Sequence, residues 1–403
     1  MKLAILADDF TGALDTSVQF SSRGISTVLI SGEQPWKLMS ENCEVLTMDL
    51  QTRHLPPADV YRRVYRAAEE LRQKNVPYLY IKTDSGMRGN VGAALAAAAD
   101  SWKSSVYFVP AYPKTGRTVV DGTLYVDGKP VSESVFGEDM FNPVRYDRIA
   151  DIIAEQTRMP VVEKWQSEGA IVLKNAATNE DMKQLVAEIS PEMRLMAGCA
   201  GLAHYLPEKL HIPAGKLPEV MLHQPLVVIS GSTSKVSLRQ LRYCEERGFR
   251  SILLTNILDA EPDFKSLVRQ VSEADQHSGI LLEVIRSEEE CICLNRKAAS
   301  QGLDAVHASE RIASNLGKAA AAIMKAGFPG ALFVFGGDTL ACVLREIGVQ
   351  RIEPLCEIES GVVVSEVFRE DGSLFIISKS GSFGSANVVE NVCRKYSMGA
   401  FAQ

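Results

Sequence analysis

The chain contains no run of about 18 apolar residues, so nothing in it reads as a membrane span. It is also poor in paired cysteines. Eight are scattered over 403 residues, at positions 43, 199, 244, 291, 293, 342, 356 and 393, and only Cys291-Ile292-Cys293 is closely spaced. No histidine lies near that pair to complete a zinc site. His54, His204, His211, His223, His277 and His307 fall in no metal-ligand spacing and read as surface or structural residues. All eight cysteines therefore read as reduced, mostly buried thiols. Residues 1–6 lack a signal-peptide layout, and together these features predict a cytoplasmic protein. Positive charge is short as well: 43 Lys and Arg against 50 Asp and Glu leave a net charge of −7. Nucleic-acid binding, which leans on a basic excess, is disfavoured, and an anionic ligand must be met by a few local cations. Walker A, G-x-G-x-x-G and G-x-S-x-G patterns are all missing.

What is present is ordinary globular material, 46% hydrophobic and 23% charged, in a chain too long for one comfortable core. Strand-like runs alternate with helical patterns almost throughout, which signals an α/β protein with largely parallel sheets. The first half offers strands at Lys2–Ala7, Ile25–Ile30, Glu44–Asp49, Tyr78–Lys82, Ser105–Pro110, Ala170–Leu173 and Arg194–Ala197. Helices fit Gly12–Ser22, Ala58–Lys74, Val91–Trp102, Arg145–Gln156 and Asn179–Ile189, and Asp127-Gly128 marks a small hairpin. Prolines interrupt all periodicity near residues 208–225, so the expected domains are 1–215 and 225–403. The second block offers strands at Pro225–Ser230, Ser251–Thr255, Gly279–Val284, Ala331–Phe335, Gly361–Phe368 and Leu374–Ser378, the last two forming a hairpin. Glu288-Glu289-Glu290 reads as a solvated helix start. The expected architecture is two α/β domains facing a shared active-site cleft.

Several strand ends carry polar, glycine-bearing turns. The first strand runs straight into Asp8-Asp9-Phe10-Thr11-Gly12, placing two carboxylates where open α/β sheets bind ligands. Thr11 or Asp9 suits a helix cap, and Gly12 allows close approach to backbone. A lone Asp-Asp would be no more than a cap; its recurrence with similar strand ends argues for a site. In Tyr80–Asn90, residues Lys82, Asp84, Arg88 and Asn90 alternate cation, carboxylate, cation and amide ahead of an Ala-rich helix. Arg88 can grip a carboxylate or phosphate through two parallel bonds, whereas Lys82 offers a point charge. The bland alternative is a salt-bridged, capped loop. Val109–Thr118 adds Lys114 and Arg117 on a loop stiffened by two prolines.

In the second half, Ser230-Gly231-Ser232 follows a strand and precedes a helix, where backbone N–H groups make an anion site. Gly336-Gly337-Asp338-Thr339 repeats the design, with Asp338-Thr339 read as the helix cap. Lys379-Ser380-Gly381 is a third such turn. One glycine turn is an ordinary helix entry, but three with Ser, Thr, Asp and Lys in one domain suit a polyphosphate. Lys379 would neutralise charge and Asp338 would hold Mg²⁺ directly or through water.

Seven stretches together resemble one family, the four-carbon acid sugar kinases, once known only as a domain of unknown function. They are Ala7–Asp15, Lys82–Asn90, Pro110–Thr118, Asp121–Val126, Ser230–Ser234, Gly336–Thr339 and Lys379–Gly384, in that order. Ser85-Gly86-Met87 stands where members often carry Ser-Thr-Leu, and Ser382 where a glycine is commoner. The resemblance implies an N-terminal domain for the sugar acid and a C-terminal domain for ATP. It also implies phosphorylation of the terminal hydroxyl of threonate, erythronate or 3-oxo-tetronate.

Combined with that resemblance, the residues suggest one mechanism. ATP and Mg²⁺ bind at Ser230, Gly231, Ser232, Gly336, Gly337, Asp338, Thr339, Lys379 and Gly381. The acid docks against Asp8, Asp9, Lys82, Asp84 and Arg88, with Asn90 and Arg117 nearby. Arg88 takes the carboxylate, Asp8 and Asp9 accept from hydroxyls, and Asp84 stands slightly ahead of Asp9 as the proton acceptor. Domain closure would exclude water. D-threonate is placed first among substrates, ahead of D-erythronate and 3-oxo-tetronate, and a homodimer stays open. The competing classes are a non-catalytic sugar-acid sensor and an NAD-dependent dehydrogenase.

Overall fold

The computed structural model describes every residue except 33, 40–41, 140–141, 218, 275–278, 350, 382 and 399–403. His277, Ser382 and linker residue Pro218 thus lie outside the described residues. The chain divides into two compact units, Met1–Leu217 and Pro218–Gln403. No described helix is long and apolar enough to cross a membrane.

The strands of the first unit are β1 (Leu3–Ala7), β2 (Thr27–Ser31), β3 (Val45–Asp49), β4 (Tyr78–Lys82), β5 (Val106–Val109), β6 (Arg117–Val120), β7 (Thr123–Val126), β8 (Lys129–Pro130), β9 (Val161–Val162), β10 (Ile171–Leu173) and β11 (Leu195–Gly198). Its longer helices are α1 (Phe10–Ser21), α2 (Pro57–Gln73) and α3 (Val91–Trp102). Eight strands form a parallel array in the order β2-β3-β1-β4-β11-β5-β10-β9. Continuous apolar runs such as Leu3-Ala4-Ile5-Leu6 are buried throughout, as a sheet covered on both faces requires. From β1 the chain runs outward to β2, returns as β3, then crosses to β4 on the other side. The β1/β4 boundary is therefore a topological switch point, and a crevice opens beyond the carboxyl ends of those strands.

A separate antiparallel sheet, β6-β7-β8, turns at Asp121-Gly122 and Asp127-Gly128. All four turn residues have positive φ, which the right-handed twist of a tight hairpin demands. This sheet also shortens the helix expected at Arg145–Gln156 to α4 (Ile149–Ala154). Leu124 N–H donates to the Asp147 carbonyl and Ile149 N–H to that of Gly122, so residues 147–148 lie against the sheet instead of coiling. Three further helices complete the unit, α5 (Asn179–Glu188), α6 (Ala200–Ala203) and α7 (Leu206–Lys209).

The second unit contains β12 (Leu226–Ser230), β13 (Arg250–Leu253), β14 (Ile280–Glu283), β15 (Ala331–Phe335), β16 (Arg351–Glu359), β17 (Val362–Arg369) and β18 (Gly372–Lys379). Its helices are α8 (Lys235–Glu245), α9 (Lys265–Ser272), α10 (Glu288–Ser300), α11 (Ala305–Lys325), α12 (Gly337–Glu346) and α13 (Val388–Lys395). The strand order β13-β14-β12-β15-β18-β17-β16 repeats the logic of the first unit, with its switch point between β12 and β15. Strand β16 is not anticipated by the sequence. Pro354 sits inside it and argues against a strand, but the register shifts between Pro354 and Cys356, and such an irregularity accommodates a proline. Helix α12 starts earlier than expected: Gly336, at φ 97°, is its N-cap, so Asp338 and Thr339 occupy the first turn and do not cap it.

Candidate functional site

In the first unit the crevice at β1/β4 is lined by carboxylates tied to two arginines. Asp9 caps α1 by accepting from Gly12 N–H at 2.8 Å. Gly12 is needed there for space, because a Cβ on it would lie 2.6 Å from Asp9 Oδ1 and 2.8 Å from Lys82 Nζ. The centre of the cluster is Arg53, which lies in none of the sequence motifs named above. Its Nε donates to Asp8 Oδ2 at 2.8 Å, its second terminal nitrogen to Asp8 Oδ1 at 3.1 Å, and the other terminal nitrogen to Asp9 Oδ2. Asp84 Oδ2 stands 3.5 Å from the same guanidinium. One arginine thus joins carboxylates from the ends of β1 and β4.

The backbone explains how Arg53 reaches this place. Asp49 ends β3, and its Oδ1 accepts from Gln51 N–H at 3.0 Å across a turn in which Gln51 has φ 51°. Thr52 and Arg53 N–H then both donate to the Asp8 carbonyl, at 2.9 and 3.2 Å, extending the β1/β3 pairing past the strands. The available signal was positional: Arg53 lies four residues beyond another strand end at the same side of the sheet.

Asp84 is the most heavily bonded member. Its Oδ1 accepts from Gly86 N–H at 2.9 Å, Arg88 N–H at 3.2 Å and Arg88 Nε at 3.1 Å, and its Oδ2 from a terminal nitrogen of Arg88 at 2.8 Å. Burial alone would raise its pKa, but Arg53, Arg88 and Lys82 hold the carboxyl far below the usual range. Burial pushes Asp8 up, with the charge of Arg53 opposing the shift and that of Asp9 adding to it. Of the three carboxylate side chains Asp9 is the most open, at 25% exposure against 16% for Asp8 and 7% for Asp84.

Two expectations meet this geometry. Arg88 was expected to take a ligand carboxylate, yet its fork is spent on Asp84, and its remaining terminal nitrogen donates to Asp139 Oδ2 at 2.9 Å. A saturated, strongly acidic carboxylate such as Asp84 is also a poor proton acceptor. Lys82 lies in the crevice, 5% exposed, and donates to the Thr83 carbonyl at 2.9 Å. Thr83 Oγ1, between Lys82 and Asp84 in sequence, is buried with no hydrogen-bond partner. Asn90 is used locally, its amide donating to the Leu55 carbonyl at 2.7 Å. Arg117 donates to the Thr115 carbonyl and stands 5.8 Å from the Phe136 ring centre. Phe136 also faces Arg88 at 5.0 Å and packs where a side chain on Gly86 would fall, 2.3 Å from a Cβ there. Neither Phe136 nor Asp139 carries a local sequence signal, since both come from an irregular loop brought in by the small sheet.

The second unit gathers its three turns at the β12/β15 switch point. A Cβ on Gly231 would lie 3.1 Å from Thr339 Oγ1, so the first turn and the start of α12 approach closely across it. Ser230 Oγ accepts from Ser232 N–H at 3.3 Å, and Ser234 caps α8. Lys379 ends β18 next to β15, where Gly336 N–H donates to its carbonyl at 2.9 Å. Lys379 is 2% exposed, and its ammonium stands 4.5 Å from the Phe335 ring centre and donates to Ser237 Oγ at 3.3 Å and to the Gly381 carbonyl. Burial lowers its pKa to about 8, with no described carboxylate offsetting the shift. A buried cation of this kind, beside glycine turns and a helix start, is suited to an anion. Asp338 is exposed on the first turn of α12, and no group of three or more potential metal-ligating side chains is found among the described residues. A lone carboxylate still fits Mg²⁺ carried by phosphates, because that ion keeps several waters and takes one or two protein carboxylates.

Two domain models match the chain, one within each unit. Residues 3–206 match the model of a sugar-binding N-terminal domain, and residues 227–389 that of a nucleotide-binding C-terminal domain. The chain is 29% identical to a D-threonate kinase of Salmonella typhimurium, with 96% of each chain covered. It is 26% identical to a 3-oxo-tetronate kinase of Pseudomonas savastanoi pv. phaseolicola, covering 95% of this chain and 94% of that one. Among solved structures, a Haemophilus influenzae protein superposes with a TM-score of 0.77 at 21% identity, covering 98% of this chain and 100% of the other, and supports the fold.

Proposed function

Because the chain belongs to the four-carbon acid sugar kinase family, and is a kinase of a four-carbon acid, we propose that its own acceptor is D-threonate. ATP is the donor, and the product is 4-phospho-D-threonate. The observation that carries the placement of the acid is the Asp8–Asp9–Arg53–Asp84 cluster at the switch point of the unit matched to sugar binding. The D-threonate assignment leans on the relative with that name.

Asp8 and Asp9 accept hydrogen bonds from the acid's hydroxyls. Lys82 and Arg117 supply positive charge to the acid's carboxylate, since Arg88 is committed to Asp84 and Asp139. Asp9 takes the proton of the attacking terminal hydroxyl: it is the most accessible of the three carboxylates and keeps its orientation through Gly12 N–H. Asp84 fixes the Gly86–Arg88 loop.

On the second unit, the turns at Ser230–Ser232, Gly336–Thr339 and Lys379–Gly381 hold the nucleotide's phosphates through backbone N–H groups and the Lys379 ammonium. Asp338 would hold Mg²⁺, whose charge offsets that of the phosphates. Most of the catalytic work in such a transfer is positioning and charge compensation, which is what these side chains offer.

The test is ADP release with D-threonate, D-erythronate, 3-oxo-tetronate and their enantiomers as separate acceptors. D-threonate should give the highest kcat/KM. A higher value for another four-carbon acid would reassign the acceptor, and no release with any would overturn the function.

A further inference from the structure

We infer that Arg53 is the positioning residue of the acceptor site, aligning Asp8 and Asp9 for the incoming hydroxyls while taking no part in the chemistry itself. The inference rests on the placement of the acceptor at this cluster, and concerns a residue outside every motif singled out from the sequence. Three geometric facts carry it. The Arg53 side chain is 12% exposed and aims Nε and both terminal nitrogens at carboxylates, so three of its N–H groups are held by Asp8 and Asp9 before any ligand arrives. Those carboxylates belong to two strand ends separated by the whole β2-β3 excursion, and a side chain from the β3 end is what joins them. Its own backbone is pinned to Asp8 and to the Asp49–Gln51 turn, so its fork has a fixed origin. A planar five-donor group is required for such a triple attachment; a lysine ammonium replaces its charge but not its shape.

The charged groups that act on Arg53 are Asp8 and Asp9 from the β1 end and Asp84 and Arg88 from the loop after β4, while Lys82 acts on Asp8 and Asp49 feels both Asp8 and Asp9. The Arg53 charge holds Asp8 down against burial, so its removal must move Asp8 upward.

Two measurements on R53M and R53K test this. First, the Asp8 carboxyl is titrated by carbon NMR in the protein without substrate. Its midpoint should rise by about one pH unit or more in R53M and stay near the wild-type value in R53K. Second, steady-state kinetics with the best four-carbon acid should show kcat/KM for the acid reduced about a hundredfold in R53M, with the acidic limb of its pH profile displaced upward. R53K should restore the limb but remain about tenfold slow, because charge returns without alignment. Binding of a fluorescent ADP analogue should be unchanged in both. An unmoved Asp8 titration, or an R53K enzyme as fast as wild type, overturns the inference. A shifted titration in a protein that turns over no four-carbon acid supports the role of Arg53 while overturning the function proposed for the site.

Discussion

Replacing Asp9 by Asn lowers kcat by about 10²–10⁴-fold, the usual contribution of a positioned proton acceptor. The variant separates chemistry from architecture. Asn caps helices about as well as Asp, so the bond from Gly12 N–H and the start of α1 survive. What disappears is the charge proposed to accept the proton, which is also one of the carboxylates facing Arg53. Thermal unfolding should shift by only a few degrees and nucleotide affinity should hold. An Asp9→Asn enzyme with wild-type kcat would remove Asp9 from the proton transfer and return attention to Asp8, whose carboxyl is raised by burial.

Much of this site is legible in the sequence because it is built from strand ends. Strand β4 occupies the predicted Tyr78–Lys82, α3 the predicted Val91–Trp102, and both switch points lie where the Asp8-Asp9 and Gly336-Gly337 turns were read. What was not legible is partnership. Local spacing leaves Arg88 either a ligand cation or part of a salt-bridged loop with Asp84, and only the folded chain shows Asp139 arriving from 51 residues away as its second partner. Arg53 was hidden for the opposite reason: nothing near it looks like a motif, and its importance arises from the β1/β3 pairing that carries Thr52 and Arg53 onto the Asp8 carbonyl. The Pro354-containing strand β16 was obscured by a residue whose cost is met by a register shift.

Replacing Lys379 by Met weakens nucleotide binding by roughly a hundredfold, about 3 kcal/mol, the lower end for removing one partner of a buried ion pair. The wild-type pH dependence supplies a second signature. Burial holds the free Lys379 at about 8, below its ordinary 10.5. A bound phosphate favours the charged form and raises that value. Binding therefore takes up a proton above pH of about 8, and affinity falls as pH climbs through it, by up to about tenfold per pH unit. The stability of the free protein changes in the opposite sense over the same window: the unfolded chain binds the extra proton, so stability rises between about 8 and 10.5. Titrating ADP affinity from pH 7 to 9.5 in both proteins checks the assignment. Loss of affinity above pH 8 in wild type, and a flat, weak profile in Lys379→Met, is the expected pair. A wild-type profile that the substitution leaves unchanged would place the phosphates elsewhere.

We propose that this kinase moves the terminal phosphoryl group of ATP onto the terminal hydroxyl of a four-carbon acid. Proton–phosphorus correlation NMR of the reaction with ATP, Mg²⁺ and D-threonate tests it most directly. One new phosphomonoester signal coupled to the two C4 protons should appear as ADP accumulates. Inorganic phosphate alone, or coupling to the C2 or C3 proton, would contradict it.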